Sequence, residues 1–310
     1  MTIKLHTGIR AAGLLMLMAV AFSQASAQER GQYLPGFRGL NGTAQPPPGF
    51  TYANYFFWYR TDTLKNRDGD NANVNFNLDL IADVNLFAYT AKTKLMGGTY
   101  TASIALPIVN TAVTLPRLGR DVGGGSIGDM YFEPISIAWD LKKGNVRAAY
   151  GLQAPTGRFD EGATDNTTSD YWGHQLSFGG TINPDKTKMW QISLHSVWEV
   201  HQTKRHEDVK VGNNVTFEYG VGKTFIKNQG KQVLQFGLAG YSEFQLTDDG
   251  GAAVTPLNPG AKDRVFAFGP EFDVILPPQK FNFMVRVLPE FGARSRTRGL
   301  TLVFAIGKTF

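Results

Sequence analysis

Apolar and polar side chains alternate along most of this chain with a period of two, the spacing of a strand with two unlike faces. From 74 to 86, Val74, Phe76, Leu78, Leu80, Ala82, Val84 and Leu86 fall on one face, and Asn75, Asn77, Asp79, Asp83 and Asn85 on the other. The stretch WQISLHSVWEVH repeats this with Trp190, Ile192, Leu194, Trp198 and Val200 against Gln191, Ser193, His195, Glu199 and His201. RVFAFGPEFDVIL does so again, with Phe266, Phe268, Phe272 and Val274 opposite Glu271 and Asp273. No convincing helical period competes with it.

Such stretches predict about twelve strands: 50–60, 74–89, 97–109, 127–140, 144–155, 171–183, 189–202, 212–225, 231–246, 264–276, 280–293 and 298–310. Their connections alternate in length. The 61–73, 110–126, 156–170, 203–211 and 247–263 segments are long, whereas LKKG, NPDKTK, KNQG and PPQK are short. Outer-membrane barrels carry long external loops and short periplasmic turns in this order, and a soluble sandwich has no reason to. The predicted fold is therefore all-β: a transmembrane antiparallel β-barrel of about 12 strands over residues 50–310, with its apolar faces toward lipid. Trp58, Trp172 and Trp198 fall near the external strand ends and Trp139 and Trp190 near the periplasmic ends, as two aromatic girdles would.

The closing strand LTLVFAIGKTF has no tail after Phe310, so it would be an open edge unless it pairs with the first strand, FTYANYFFWYR. In lipid each unpaired backbone group costs several kcal/mol, which makes closure obligatory. A terminal aromatic strand is also what barrel-assembly machinery reads, although Lys308 replaces an apolar residue of that pattern.

Composition sharpens the picture at the N-terminus. Lys4 and Arg10 precede an apolar run from Ala11 to Phe22, then Ala25-Ser26-Ala27; this reads as a signal peptide over 1–27, the run being too short to span a bilayer. Its removal takes the formal charge from +5 to +3, which excludes a nucleic-acid footprint. The chain has no cysteine, so disulfides and thiolate chemistry are excluded too. The mean hydropathy of −0.20 is that of a soluble protein, but alternation hides a barrel from averaging. Residues 28–49, with YLPGF and QPPPG, are too proline-rich for a central strand, and predict either a plug in the lumen or a periplasmic lead-in.

The segments GQYLPGFRGLNGTAQPPPGFTYANYFFWYR, LPIVN, GDMYFEPISIAW, PTGRFD, YWG, GYSEFQLTDDG and DRVFAFGP, in that order, resemble the SphA-like outer-membrane family associated with the meta pathway of phenol degradation. The resemblance covers nearly the whole mature chain. It implies a barrel that helps small hydrophobic or aromatic molecules cross the outer membrane, with no enzymatic step of its own. This chain departs from the family's Asn-rich pattern at TDNTTSDYWG and HQTKRHEDVK, so loop contacts do not carry over.

The polar strand faces place Asp79, Asp83, Arg147, His195, Glu199, Glu218, Glu243, Glu271, Asp273, Arg286 and Glu290 as lumen-lining candidates. They form either a permeation path of mixed charge or a salt-bridged filling. If LPPQK is a tight turn pairing Leu276 with Phe281, Glu271 faces Arg286 inside and Phe272 faces Val285 outside. Ser193 and His195 share a face and suggest hydrolase chemistry, but a lipase barrel needs its nucleophile outside, and these point inward. The acidic stretches 67–73 and 160–170 lack calcium-ligand spacing, and GGGSIGD lacks the Lys-Ser/Thr of a phosphate loop and reads as a flexible loop. No metal or cofactor is expected. Expected partners are outer-membrane lipid, lipopolysaccharide, the assembly machinery and small apolar or aromatic solutes. The alternatives are a non-conducting surface barrel with partner-binding loops and a lipid-modifying enzyme.

Overall fold

Backbone polar groups in a membrane must pair within the protein, and the sheet meets this by closing on itself. The computed structural model describes residues 31–72, 74–116, 120–160, 165–254 and 261–310. The signal peptide expected at 1–27 lies outside them. Thirteen strands follow in order: β1 (Gly49–Thr61), β2 (Asn77–Leu95), β3 (Gly98–Leu115), β4 (Arg120–Ile127), β5 (Met130–Leu141), β6 (Gly144–Ala154), β7 (Gly173–Ile182), β8 (Trp190–His201), β9 (Asn214–Lys227), β10 (Gln232–Gln245), β11 (Arg264–Leu276), β12 (Phe281–Arg294) and β13 (Leu300–Thr309). Every pair is antiparallel. β13 pairs with β1 from Thr51↔Thr309 to Arg60↔Leu300, so the final strand seals the seam.

The wall has twelve positions, because β4 and β5 are one strand interrupted at Gly128–Asp129 and both pair with β3. The Gly128 N–H still reaches the Pro107 carbonyl at 2.8 Å, which keeps the ladder continuous across the break. The predicted loop at 110–126 is thus corrected: most of it is a hairpin that extends the wall. β-Branched Thr111, Val113 and Thr114 favour extension there, and the partner strand contains the glycines read as a flexible loop. They allow close approach, since a Cβ at Gly123 would stand 2.5 Å from the Thr111 carbonyl oxygen.

A second irregularity lies in β5. Between Phe132 and Ile135 the register slips by one residue, a β-bulge at Pro134, which has no N–H to give a ladder. Tyr131 and Glu133 therefore face inward on odd numbers while Ser136 and Ala138 face inward on even ones. The slip is what turns Trp139 outward, where its indole donates to the Met96 carbonyl at 2.9 Å in the β2–β3 turn. The outer wall exposes Trp58, Trp172, Trp190 and Trp198 together with many aliphatic side chains. Trp58, Trp172 and Trp198 are at the long-loop end, Trp190 and Trp139 at the short-turn end.

Candidate functional site

Residues 31–48 enter the barrel, leaving the periplasmic lead-in unsupported. Apart from a 3₁₀ turn at Gly39–Asn41 they have no regular structure, so their buried backbone N–H groups need other acceptors. Wall carboxylates, equally costly to bury alone, supply them. Glu199 accepts from the N–H of Gln32 and Tyr33 at 2.9 and 2.8 Å. Glu218 accepts from four successive backbone N–H groups, Gly36 to Gly39, at 2.9 to 3.1 Å, and from the Tyr33 hydroxyl at 2.5 Å. Glu271 takes the Leu40 N–H at 3.1 Å. Asn41 donates to Gln235 at 2.7 Å and to Asp273 at 3.3 Å. Each hydrogen bond to a charged group is worth roughly 1.5–3 kcal/mol, so the plug is firmly held. Gly39, at φ +54°, has no room for a side chain: a Cβ would lie 1.8 Å from Arg286 Nη2.

Of the eleven predicted lumen residues, nine face inward. Glu271 and Arg286 are direct cross-strand partners, with Leu276 against Phe281 and Phe272 against Val285, the register expected from the turn. Their ion pair is 2.7 Å long with side chains 1% and 2% exposed, so it is shielded from water. A pair this dry is costly to break and cheap to replace by apolar groups. Higher in the barrel, Arg296 bridges Glu243 at 2.8 Å and Asp263 at 3.2 Å, while Glu290 accepts from the hydroxyls of Tyr59 and Tyr241 at 3.0 and 2.8 Å.

Asp79 and Asp83 do not line the lumen. β1 turns Ala53 and Phe57 inward, and its register with β2 pairs outward Phe56 with Asp83 and outward Arg60 with Asp79. Asp79 accepts from the Trp58 indole at 3.1 Å on the outside, Asp83 accepts from the Asn54 amide, and Asn85 accepts from the Tyr52 hydroxyl at 2.7 Å. The apolar face of β2, expected against lipid, points inward instead: Val84 is 6% exposed, and Leu80, Ala82, Val84 and Leu86 line a cavity of about 460 Å³. Ala105, Pro107 and Val109 of β3 continue this wall, and Phe37 and Tyr55, stacked with centroids 4.3 Å apart, face it.

The cavity also has a polar side, of which the sequence placed Arg147 inside but missed Glu133 and Arg38. Glu133 receives the Tyr131 hydroxyl at 3.1 Å, Arg38 at 3.3 Å, and Arg147 on its other oxygen. Arg147 also donates to His195 Nε2 at 3.3 Å. Glu133 was hidden by the bulge that breaks parity in β5, for which Pro134 inside a strand was the available signal; Arg38 was hidden because the sequence leaves both a plug and a lead-in open, with Tyr33 and Phe37 only slightly favouring the plug.

Ser193 donates to the carbonyls of Gly39 and Gly220, at 3.2 and 3.5 Å, and His195 engages Arg147, so neither is arranged as a nucleophile with its base. Among the described residues no group of three or more His, Cys, Asp or Glu is placed to hold a metal. In the loops, Asp170 ties 155–172 to 202–213: it accepts from the His206 backbone at 2.9 Å, the His206 ring at 2.7 Å and Arg205 at 3.3 Å. Burial pushes the Asp170 carboxyl up, but these hydrogen bonds outweigh it and hold it below the usual range.

The chain superposes on the COG4313 outer membrane channel from Pseudomonas putida F1 with a TM-score of 0.70 at 13% identity, covering 90% of this chain and 100% of that one. It is similar also to the β domain of the Bordetella autotransporter BrkA, at TM-score 0.53 and 13% identity over 85% and 100% of the two chains. The translocator domain of NalP from Neisseria meningitidis follows at 0.50 and 11%, over 97% and 98%. No curated protein sequence matches. A closed sheet with an exposed, tryptophan-bordered outer wall and this fold make the protein an outer-membrane β-barrel. The model of the family described as "Putative MetA-pathway of phenol degradation" matches residues 61–306, and the chain belongs to that family.

Proposed function

We propose that the protein takes up small apolar or aromatic compounds across the outer membrane, without converting them. The observation that carries this reading is the cavity of about 460 Å³ between the plug and the aliphatic wall of β2 and β3. Sites for small molecules run from roughly 300 to 1,000 Å³, and an apolar cavity of ~150 Å³ already holds benzene. A water channel has no use for such a wall. The Tyr131–Glu133–Arg38 side orients a solute that carries a hydroxyl or carbonyl. The family description supports aromatic cargo, and the fold supports passage. Phe310, exposed at the end of β13, serves as the contact for the assembly machinery, and lipopolysaccharide and lipid surround the wall.

The test is uptake of labelled toluene, phenol and cresol by cells with and without the gene. Faster uptake of at least one compound in the presence of the gene is expected; equal uptake of all of them overturns the proposal. The dense anchoring of the plug favours a second reading, a closed surface barrel whose loops bind partners, and equal uptake is the outcome that would select it.

A further inference from the structure

A second cavity, of about 210 Å³, lies below the first, toward the short-turn end of the barrel. The two share two lining residues, Gln45 and Pro46, both from the plug. The same wall strands run past both. On β2 the upper cavity ends at Ala88 and the lower begins at Ala91; on β3 the upper reaches Thr101 and the lower Thr99. Between them on the wall the hydroxyls of Thr90 and Thr101 are 3.0 Å apart and buried. Gln45 closes the gap from the plug side, its amide donating to the Ser136 hydroxyl at 2.7 Å.

The chemistry changes across this point. Above it the β2 residues are aliphatic. Below it Lys92, Lys94, Asp140 and Asn145 line the space, next to the Met96–Gly97 and Lys142–Lys143 turns that mark the periplasmic rim. An apolar chamber opening through a narrow neck into a wet one is what a stepwise route requires. The apolar wall draws the solute out of water, and the polar chamber lets it go.

We infer that Gln45 and Pro46 form an internal gate, and that solutes follow one groove along β2, β3 and β5 from the aliphatic chamber past this gate to the lysine-flanked chamber and the periplasm. The inference rests on the uptake reading and adds to it a route and a gate. The Gln45–Ser136 contact is a single neutral hydrogen bond, weaker than the charge-assisted bonds that hold the rest of the plug. The gate therefore opens by a side-chain turn, while the Glu199, Glu218 and Glu271 anchors keep the rest of the plug in place.

Two measurements decide it. In cells, uptake of labelled p-cresol is compared for the native chain, Gln45→Gly and Gln45→Trp, with folded barrel levels matched by gel mobility before and after heating. Gly is expected to raise the rate at least twofold and Trp to lower it at least fivefold. Because the chain has no cysteine, Gln45→Cys gives a single thiol, and in proteoliposomes a charged methanethiosulfonate that cannot cross lipid is expected to modify it from either side. Native uptake with a Trp variant that transports equally well would overturn the route and leave the uptake reading standing. No uptake by the native chain would remove the uptake reading, and thiol labelling would still judge the route: labelling from one side only, or none, refutes a continuous groove.

Discussion

Strands β2 and β8 carry the same alternation and are mounted in opposite senses. In β8, Gln191, Ser193, His195 and Glu199 are buried inside while Trp190, Ile192, Leu194 and Trp198 are exposed on the outer wall. In β2, Ala82, Val84 and Ala88 are buried inside, and Asp79, Asp83 and Asn85 are outside. A period of two states that a strand has two unlike faces and says nothing about which face meets lipid. The sense of β2 is imposed by its neighbour: Phe57 and Ala53 of β1 face inward, and a pairing register shifted by one residue would reverse every side chain of β2. The barrel thus has an ordinary charged arc from β6 to β12 and an inverted aliphatic arc at β2 and β3. The polar groups on the outer side of the inverted arc bond to one another, which softens the cost of facing lipid.

The comparison breaks most severely in the ordinary arc. Arg286→Leu leaves Glu271 dry without its cation and is expected to cost about 3–5 kcal/mol, read as a lowered urea midpoint of the refolded barrel. Glu271→Leu with Arg286→Leu is expected to recover only part of that loss, because the Leu40 N–H and the Gly36 carbonyl still lose their partners; a double variant weaker than the single one would show that the ion pair is not the cause. The inverted arc responds differently. Val84→Asp puts a charge on the aliphatic wall and is expected to slow aromatic uptake about tenfold. Asp83→Leu, one residue away on the other face, is expected to leave uptake unchanged and to shift stability by less than about 1 kcal/mol. Equal effects of the two would mean that the face assignment is wrong.

The smallest effect lies in the loops. The Asp170 carboxyl is depressed in the folded protein, so its contribution is fully present above the unfolded value of about 3.9 and is lost as pH falls through the lower folded value. Protease sensitivity of 155–172 and 202–213 is expected to stay constant down to about pH 4 and to rise below it. Asp170→Asn is expected to show part of that rise at neutral pH. A rise that begins well above pH 4 in the native chain would assign the loop contact to another group.

Much of this was legible beforehand. Alternation and turn lengths carried the barrel, the sealed seam and the Glu271–Arg286 register, because a tight turn leaves a hairpin little freedom. Nine inward residues followed from parity alone. Asp79 and Asp83 did not, because the assumption that apolar means lipid-facing holds only where the lumen is wet. Glu133 was lost to a one-residue bulge, and Arg38 to a segment whose backbone conformation is dictated by partners far along the chain.

That distance has its own consequence. The Glu218 oxygens grip Gly36 to Gly39 across some 180 residues of sequence. The stretch synthesised near the start must therefore wait, unpaired, for β9 to exist. Pro48 leads straight into Gly49, whose strand is the one β13 must find. Seating the tail and zipping the cylinder thus share one hinge of chain: the Pro48–Gly49 junction carries the tail into the lumen on one side and opens the seam-forming strand on the other.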